Sequence, residues 1–100
     1  MENITVKEVS ERLANGESFH FIDVREIWEY EEDNLGARNI PLAELPNQLE
    51  ELTSLKNEEI IVHCRSGARS AQAQMYLKQQ GFTRVVNMTG GIVAYREAGL

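Results

Sequence analysis

Cysteine is nearly absent: Cys64 is the only one in a chain of 100 residues. A single thiol closes no disulfide within the chain, forms no CxxC redox pair and builds no cysteine-based zinc site. Any covalent intermediate on Cys64 must therefore be resolved by a group from outside, which excludes mechanisms with a second, resolving cysteine in the same chain. Positive charge is scarce as well, with 10 Lys and Arg against 16 Asp and Glu and a net charge of −6. Nucleic acid and anionic membrane surfaces both require a basic face, so neither is expected as a partner. No apolar run has the length of a membrane span, and Met1-Glu2-Asn3 lacks the basic start and apolar core of a signal peptide, which points to the cytoplasm. The sequons Asn3-Ile4-Thr5 and Asn87-Met88-Thr89 carry no meaning without secretion. Repeats, linkers and low-complexity tracts are missing too, so residues 1–100 read as one domain with a single modest core.

What is present is an alternation of short apolar runs and helical patterns. Thr5 and Glu8 form a capping box with Ile4 and Val9 as its staple, and Val6, Val9 and Leu13 give the helix one apolar face before Asn15-Gly16 ends it. Phe19–Val24 reads as a buried strand. It runs into a charged segment, Arg25–Glu32, predicted as a short helix with Ile27, Trp28 and Tyr30 as its buried positions and Glu29–Asp33 as a solvated acidic face. Ala37–Leu42 reads as an edge strand closed by Pro41. A helix over about 45–55 follows, then a strand at Ile60–His63, a helix to Gln80 with Gly81 at its C′ position, a strand over Phe82–Asn87, and a last helix opened by Gly90-Gly91. Strands alternating with helices, with few hairpin signals, predict an α/β domain with a mainly parallel sheet and helices on both faces. In such sheets the ligand crevice lies at the carboxyl ends of the strands. Cys64 follows one such end and Asp23 closes another.

The chemistry concentrates in His63-Cys64-Arg65-Ser66-Gly67-Ala68-Arg69-Ser70. A strand that ends in a cysteine, then a Gly/Ser/Arg turn, then a helix start builds a cradle of backbone N–H groups that holds negative charge. Gly67 supplies an unusual backbone angle, and Ser66 and Ser70 can hydrogen-bond the loop or the sulfur. An unperturbed thiol, with a pKa of about 8.5, is only a few per cent ionised at neutral pH. The helix N-terminus, N–H···S contacts and the neighbouring Arg65 or Arg69 predict a thiolate populated at neutral pH.

The chain resembles a single-domain rhodanese, a sulfurtransferase, over essentially its whole length. Four stretches carry the likeness in order: Phe21-Ile22-Asp23-Val24-Arg25-Glu26, then Gly36-Ala37 with Asn39-Ile40-Pro41-Leu42, the Cys64 loop, and Gly90-Gly91-Ile92 with Glu97-Ala98-Gly99-Leu100. The resemblance implies a three-layer fold around a central, mainly parallel five-stranded sheet. It also implies that Cys64 takes up a sulfane sulfur as a persulfide, held by the loop from Arg65 to Ser70. There are two departures. Glu32-Asp33-Asn34-Leu35 occupies the stretch where the family usually has Gly-His-Ile, which touches packing near the edge strand, and Tyr95 stands where a tryptophan is common.

The expected reaction has two steps. Thiosulfate or a small persulfide, its anionic end drawn by Arg65 and Arg69, is attacked by Cys64, and sulfite leaves. An external thiol, or cyanide, then takes the sulfur. Neither metal nor organic cofactor is required. Asp23 is expected to brace the neighbouring loops through Arg25 or Arg65, and His63 to be a packed, hydrogen-bonded core residue rather than a base. A persulfide carrier relaying sulfur between partner proteins needs the same cradle and stands as the alternative. A cysteine phosphatase fits less well: it needs an arginine at the sixth position after the cysteine, where this chain has Ser70, Arg69 coming one residue early.

Overall fold

The computed structural model describes residues 2–100, in the order β1 (Asn3–Ile4), α1 (Val6–Ala14), β2 (His20–Asp23), α2 (Ile27–Glu32), β3 (Arg38–Asn39), α3 (Leu45–Leu52), β4 (Glu59–His63), α4 (Ala68–Gln79), β5 (Arg84–Met88) and α5 (Gly91–Glu97). The strands form one sheet ordered β1-β5-β4-β2-β3, and every neighbouring pair is parallel. β1 escapes a pattern-based reading because it is two residues long, yet it extends the sheet by pairing Asn3 with Asn87 and Ile4 with Met88.

Strand alternation divides the core into two layers. Ile22, Ile60, Val62 and Val85 face Leu45 and Leu52 of α3 and Ala73 and Leu77 of α4. Phe21, Ile61, Val86 and Met88 face Val9 of α1 and Tyr95 of α5 on the other side. Cys64 continues the alternation of β4 and lies in the α3/α4 layer. This is the three-layer α/β arrangement around a parallel five-stranded sheet that the sequence leads one to expect, with helices on both faces.

Two helices differ in detail from their reading. At the start of α1 the Thr5 hydroxyl accepts from the Glu8 N–H and itself donates to Glu8 Oε1, both at 3.1 Å, so the Glu8 carboxylate meets the cap hydroxyl. Only Val9 of the expected apolar face is buried. In α2 the inward residue is Glu29, while Ile27 and Trp28 are 59% and 62% exposed. The half-buried Tyr30 donates its hydroxyl to Ala37 O at 2.6 Å. The helix turns its carboxylate inward because an arginine waits for it there.

Candidate active site

β4 is a central strand, and Cys64 follows its carboxyl end. The chain then turns through Gly67, whose φ of +111° lies in the left-handed region that favours glycine, and enters α4 at Ala68. The turn folds two N–H donors and a hydroxyl back onto one atom: Gly67 N–H reaches Cys64 Sγ at 3.1 Å, Ser70 N–H at 3.3 Å, and Ser70 Oγ lies 3.3 Å away. Burial, with Cys64 only 1% exposed, pushes the thiol pKa up. The Ser70 hydroxyl and the N–H groups of Ser70, Gly67 and Ser66 outweigh it, and the pKa falls below its ordinary value.

The loop is gripped from behind by α5. Ile92 N–H donates to Cys64 O and Val93 N–H to Arg65 O, both at 3.0 Å. The approach is close enough to demand glycine: at Gly91, with φ +62°, a Cβ would lie 2.4 Å from Arg65 O and 2.5 Å from Cys64 O. The Gly90-Gly91 turn brings the last helix to the site.

The two loop arginines separate clearly. Arg69 is bidentate to Glu29, Nη1 to Oε1 at 2.6 Å and Nη2 to Oε2 at 2.9 Å. Arg69 chiefly, working against burial and with help from the Glu26 N–H and Arg25, holds the Glu29 carboxyl down at about 2. This corrects the reading of Glu29–Asp33 as a solvated face: Glu29 is buried against the loop, and Asp33 pairs with Arg96 at 2.7 Å. Arg65 is exposed and, among the described residues, has no carboxylate partner. It borders a cleft of about 340 Å³ between α2 and α5, with Glu29, Ile92 and Val93 in its wall. Ser66 and Ala68 are exposed at the loop surface.

Asp23 and Arg25 form a buried ion pair behind this wall. Arg25 Nη2 meets Asp23 Oδ2 at 2.8 Å, Arg25 N–H donates to Oδ1, and the guanidinium goes on to Asp33 O at 2.7 Å. The brace on Asp23 is thus Arg25 rather than Arg65, and it ties the end of β2 to the end of α2. His63 is fully buried, its ring tilted 38° against that of Phe21, with Nδ1 3.2 Å from Cys64 O. Nε2 faces Asp23 Oδ2 at 3.5 Å, beyond a good hydrogen bond, and has no other partner among the described residues. Burial lowers the His63 pKa against the pull of Asp23.

One site residue escapes the sequence reading. Asn87 accepts from Ser70 Oγ at 2.6 Å, directly beneath the loop. Strand alternation offers the signal: Asn87 stands two residues beyond Val85, on the face that carries Cys64. Among the described residues no cluster of three His, Cys, Asp or Glu side chains suited to a metal occurs, and no helix is long and apolar enough to cross a membrane.

The family model of the rhodanese-like domain matches residues 5–98. The whole chain is 37% identical to a sulfurtransferase of Allochromatium vinosum and covers 92% of it. It is 38% identical, over 89% of its length, to the putative sulfur carrier protein YrkF of Bacillus subtilis, of which it spans 48%, about half. The crystal structure of a rhodanese-like domain protein from Staphylococcus aureus superposes with a TM-score of 0.85 at 31% identity, covering 95% of this chain and 91% of that one.

Proposed function

The chain belongs to the rhodanese-like domain family, and on that premise we propose that it is a sulfurtransferase in which Cys64 carries a sulfane sulfur as a persulfide. The observation that carries the proposal is the convergence of two N–H groups on Cys64 Sγ, which favours the thiolate over the thiol.

In the first half-reaction the Cys64 thiolate attacks the outer sulfur of thiosulfate. A new S–S bond forms on Sγ, and the bond to the sulfonate sulfur breaks with its electron pair, releasing sulfite. In the second, an external thiolate or cyanide attacks the terminal sulfur, and the S–S bond to Cys64 breaks to return the thiolate. The products are a persulfide or thiocyanate, and the kinetics are ping-pong. Arg65, exposed at the cleft, draws the anionic donor. Arg69 shapes the loop while its charge is taken up by Glu29. The backbone from Arg65 through Ser70, turning on Gly67, cradles the terminal sulfur, and the Asp23–Arg25 pair holds the end of β2 in place behind it.

The likeness to a putative sulfur carrier protein favours a second reading, in which the persulfide passes between partner proteins and small donors serve poorly. Intact-protein mass spectrometry after thiosulfate treatment, with sulfite assayed in parallel, tests the first reading. The expected result is a gain of one sulfur atom with sulfite released, both absent in Cys64→Ser. No adduct from thiosulfate, but loading from a protein persulfide, would replace the thiosulfate enzyme with the carrier.

A further inference from the structure

A hydroxyl has one proton to give, and Ser70 Oγ has three acceptors in reach: Asn87 Oδ1 at 2.6 Å, Gly67 O at 3.2 Å and Cys64 Sγ at 3.3 Å. The shortest contact takes the proton. With its hydroxyl turned to Asn87, Ser70 offers Cys64 a lone pair. That suits a thiol, whose S–H can donate to Ser70 Oγ. It does not suit a thiolate, which needs the hydroxyl proton aimed at the sulfur.

Asn87 resolves the conflict. It is 8% exposed, and its amide carries an acceptor and a donor on one fork, the Nδ2 lying 3.4 Å from Gly67 O. A half-turn of the amide exchanges the two. Nδ2 then donates to Ser70 Oγ, and the Ser70 proton is released to Sγ. In either state Ser70 Oγ gives one hydrogen bond and receives one; the half-turn gives up only the long Nδ2 contact to Gly67 O, which keeps the Ala71 N–H at 3.0 Å. We propose that Asn87 is a positioning residue that sets the proton balance of Cys64 through Ser70, in a relay whose two hydrogen-bond directions correspond to thiol and thiolate.

Residue chemistry explains why an amide is needed. An apolar side chain would leave Ser70 Oγ without a donor in the thiolate state only, because in the thiol state Gly67 O still accepts the hydroxyl. A carboxylate would accept and never donate, keeping the Ser70 proton from the sulfur. The inference rests on Cys64 being the reacting group and is independent of which donor loads it.

The test follows the ultraviolet absorbance of the thiolate against pH. With one cysteine in the chain, each variant has a Cys64→Ser counterpart as its baseline. In Asn87→Leu the thiolate-to-thiol ratio at a given pH is expected to fall about three- to tenfold, the worth of one hydrogen bond. In a Ser70→Ala background the same substitution is expected to move the ratio less than about twofold, because the relay is already cut. The other charged or titratable groups around the loop are Arg65 and Arg69, His63 before it, the Asp23–Arg25 pair and Glu29 on α2. They are common to all variants, so they cancel in the comparison. An equal fall in both backgrounds would mean that Asn87 acts by packing alone and would overturn the relay, as would no fall in either. Should Asn87→Leu fold poorly, Asn87→Asp, close in shape, is expected to lower the ratio further than tenfold and to lose part of that effect when Ser70 is alanine. A ratio equally depressed with and without Ser70 would again overturn the proposal. The absorbance needs no sulfur donor, so failure of the relay and failure of the sulfurtransferase reading are seen separately.

Discussion

Glu29 carries a buried negative charge whose main partner, Arg69, is 32% exposed. Its pKa, pushed down to about 2 from an ordinary 4.5, means that the unfolded chain takes up this proton more readily than the folded one. The stability it contributes is therefore complete above the unfolded value and drains away as the pH falls through the folded one. After allowance for screening at the exposed guanidinium, we expect a loss of about 1–3 kcal/mol between pH 5 and pH 2 from this residue. Urea midpoints measured against pH should show that decline in the native chain and a flatter profile in Glu29→Gln. Cys64, Gly67 and Ser70 are legible in the sequence because they meet their partners within six residues, on a turn whose residue types announce it. Glu29 and Asn87 are not. Their partners lie 40 and 17 positions away, and a charge inside an acidic run looks solvated until the fold supplies its arginine.

Among the elements, α5 has the tightest seat. Its first residue approaches backbone carbonyls, which cannot swing aside as a flexible side chain can. Gly91→Ala is expected to cost about 2–5 kcal/mol, combining left-handed strain with overpacking. Gly16→Ala, at φ +69° with nothing within 4 Å, should cost only the strain, about 1–2 kcal/mol. Urea unfolding of the two variants checks the difference, and equal losses would show that the close approach carries no energy. Most elements are readable from period and punctuation, as α4 is between Gly67 and Gly81. The failures have local causes. β1 is too short to show alternation. The orientation of α2 is decided by one ion pair rather than by its apolar residues, which is why Trp28 lies outside.

For the molecule as a whole, a single sheet serves two apolar layers, so neither layer can be lost alone. Leu77, fully buried between α4 and the sheet, should cost about 2–5 kcal/mol when changed to alanine. The unfolding transition of Leu77→Ala should shift as a unit, with far-UV ellipticity and Trp28 emission coinciding. Two separated steps would show the layers to be independent. Against a net charge of −6, Arg65 stands as an exposed cation on the loop rim with no carboxylate partner among the described residues.

The grip of Ile92 and Val93 on the carbonyls of Cys64 and Arg65 also sets a time order. A ribosome delivers residues 64 and 65 well before residues 90–93. During that interval the loop has no clamp, although the contacts of Gly67 and Ser70 with Cys64, all within six residues, are local to the loop. What the last helix adds is a fixed backbone behind the loop, so the loop reaches its final geometry only when the fold closes.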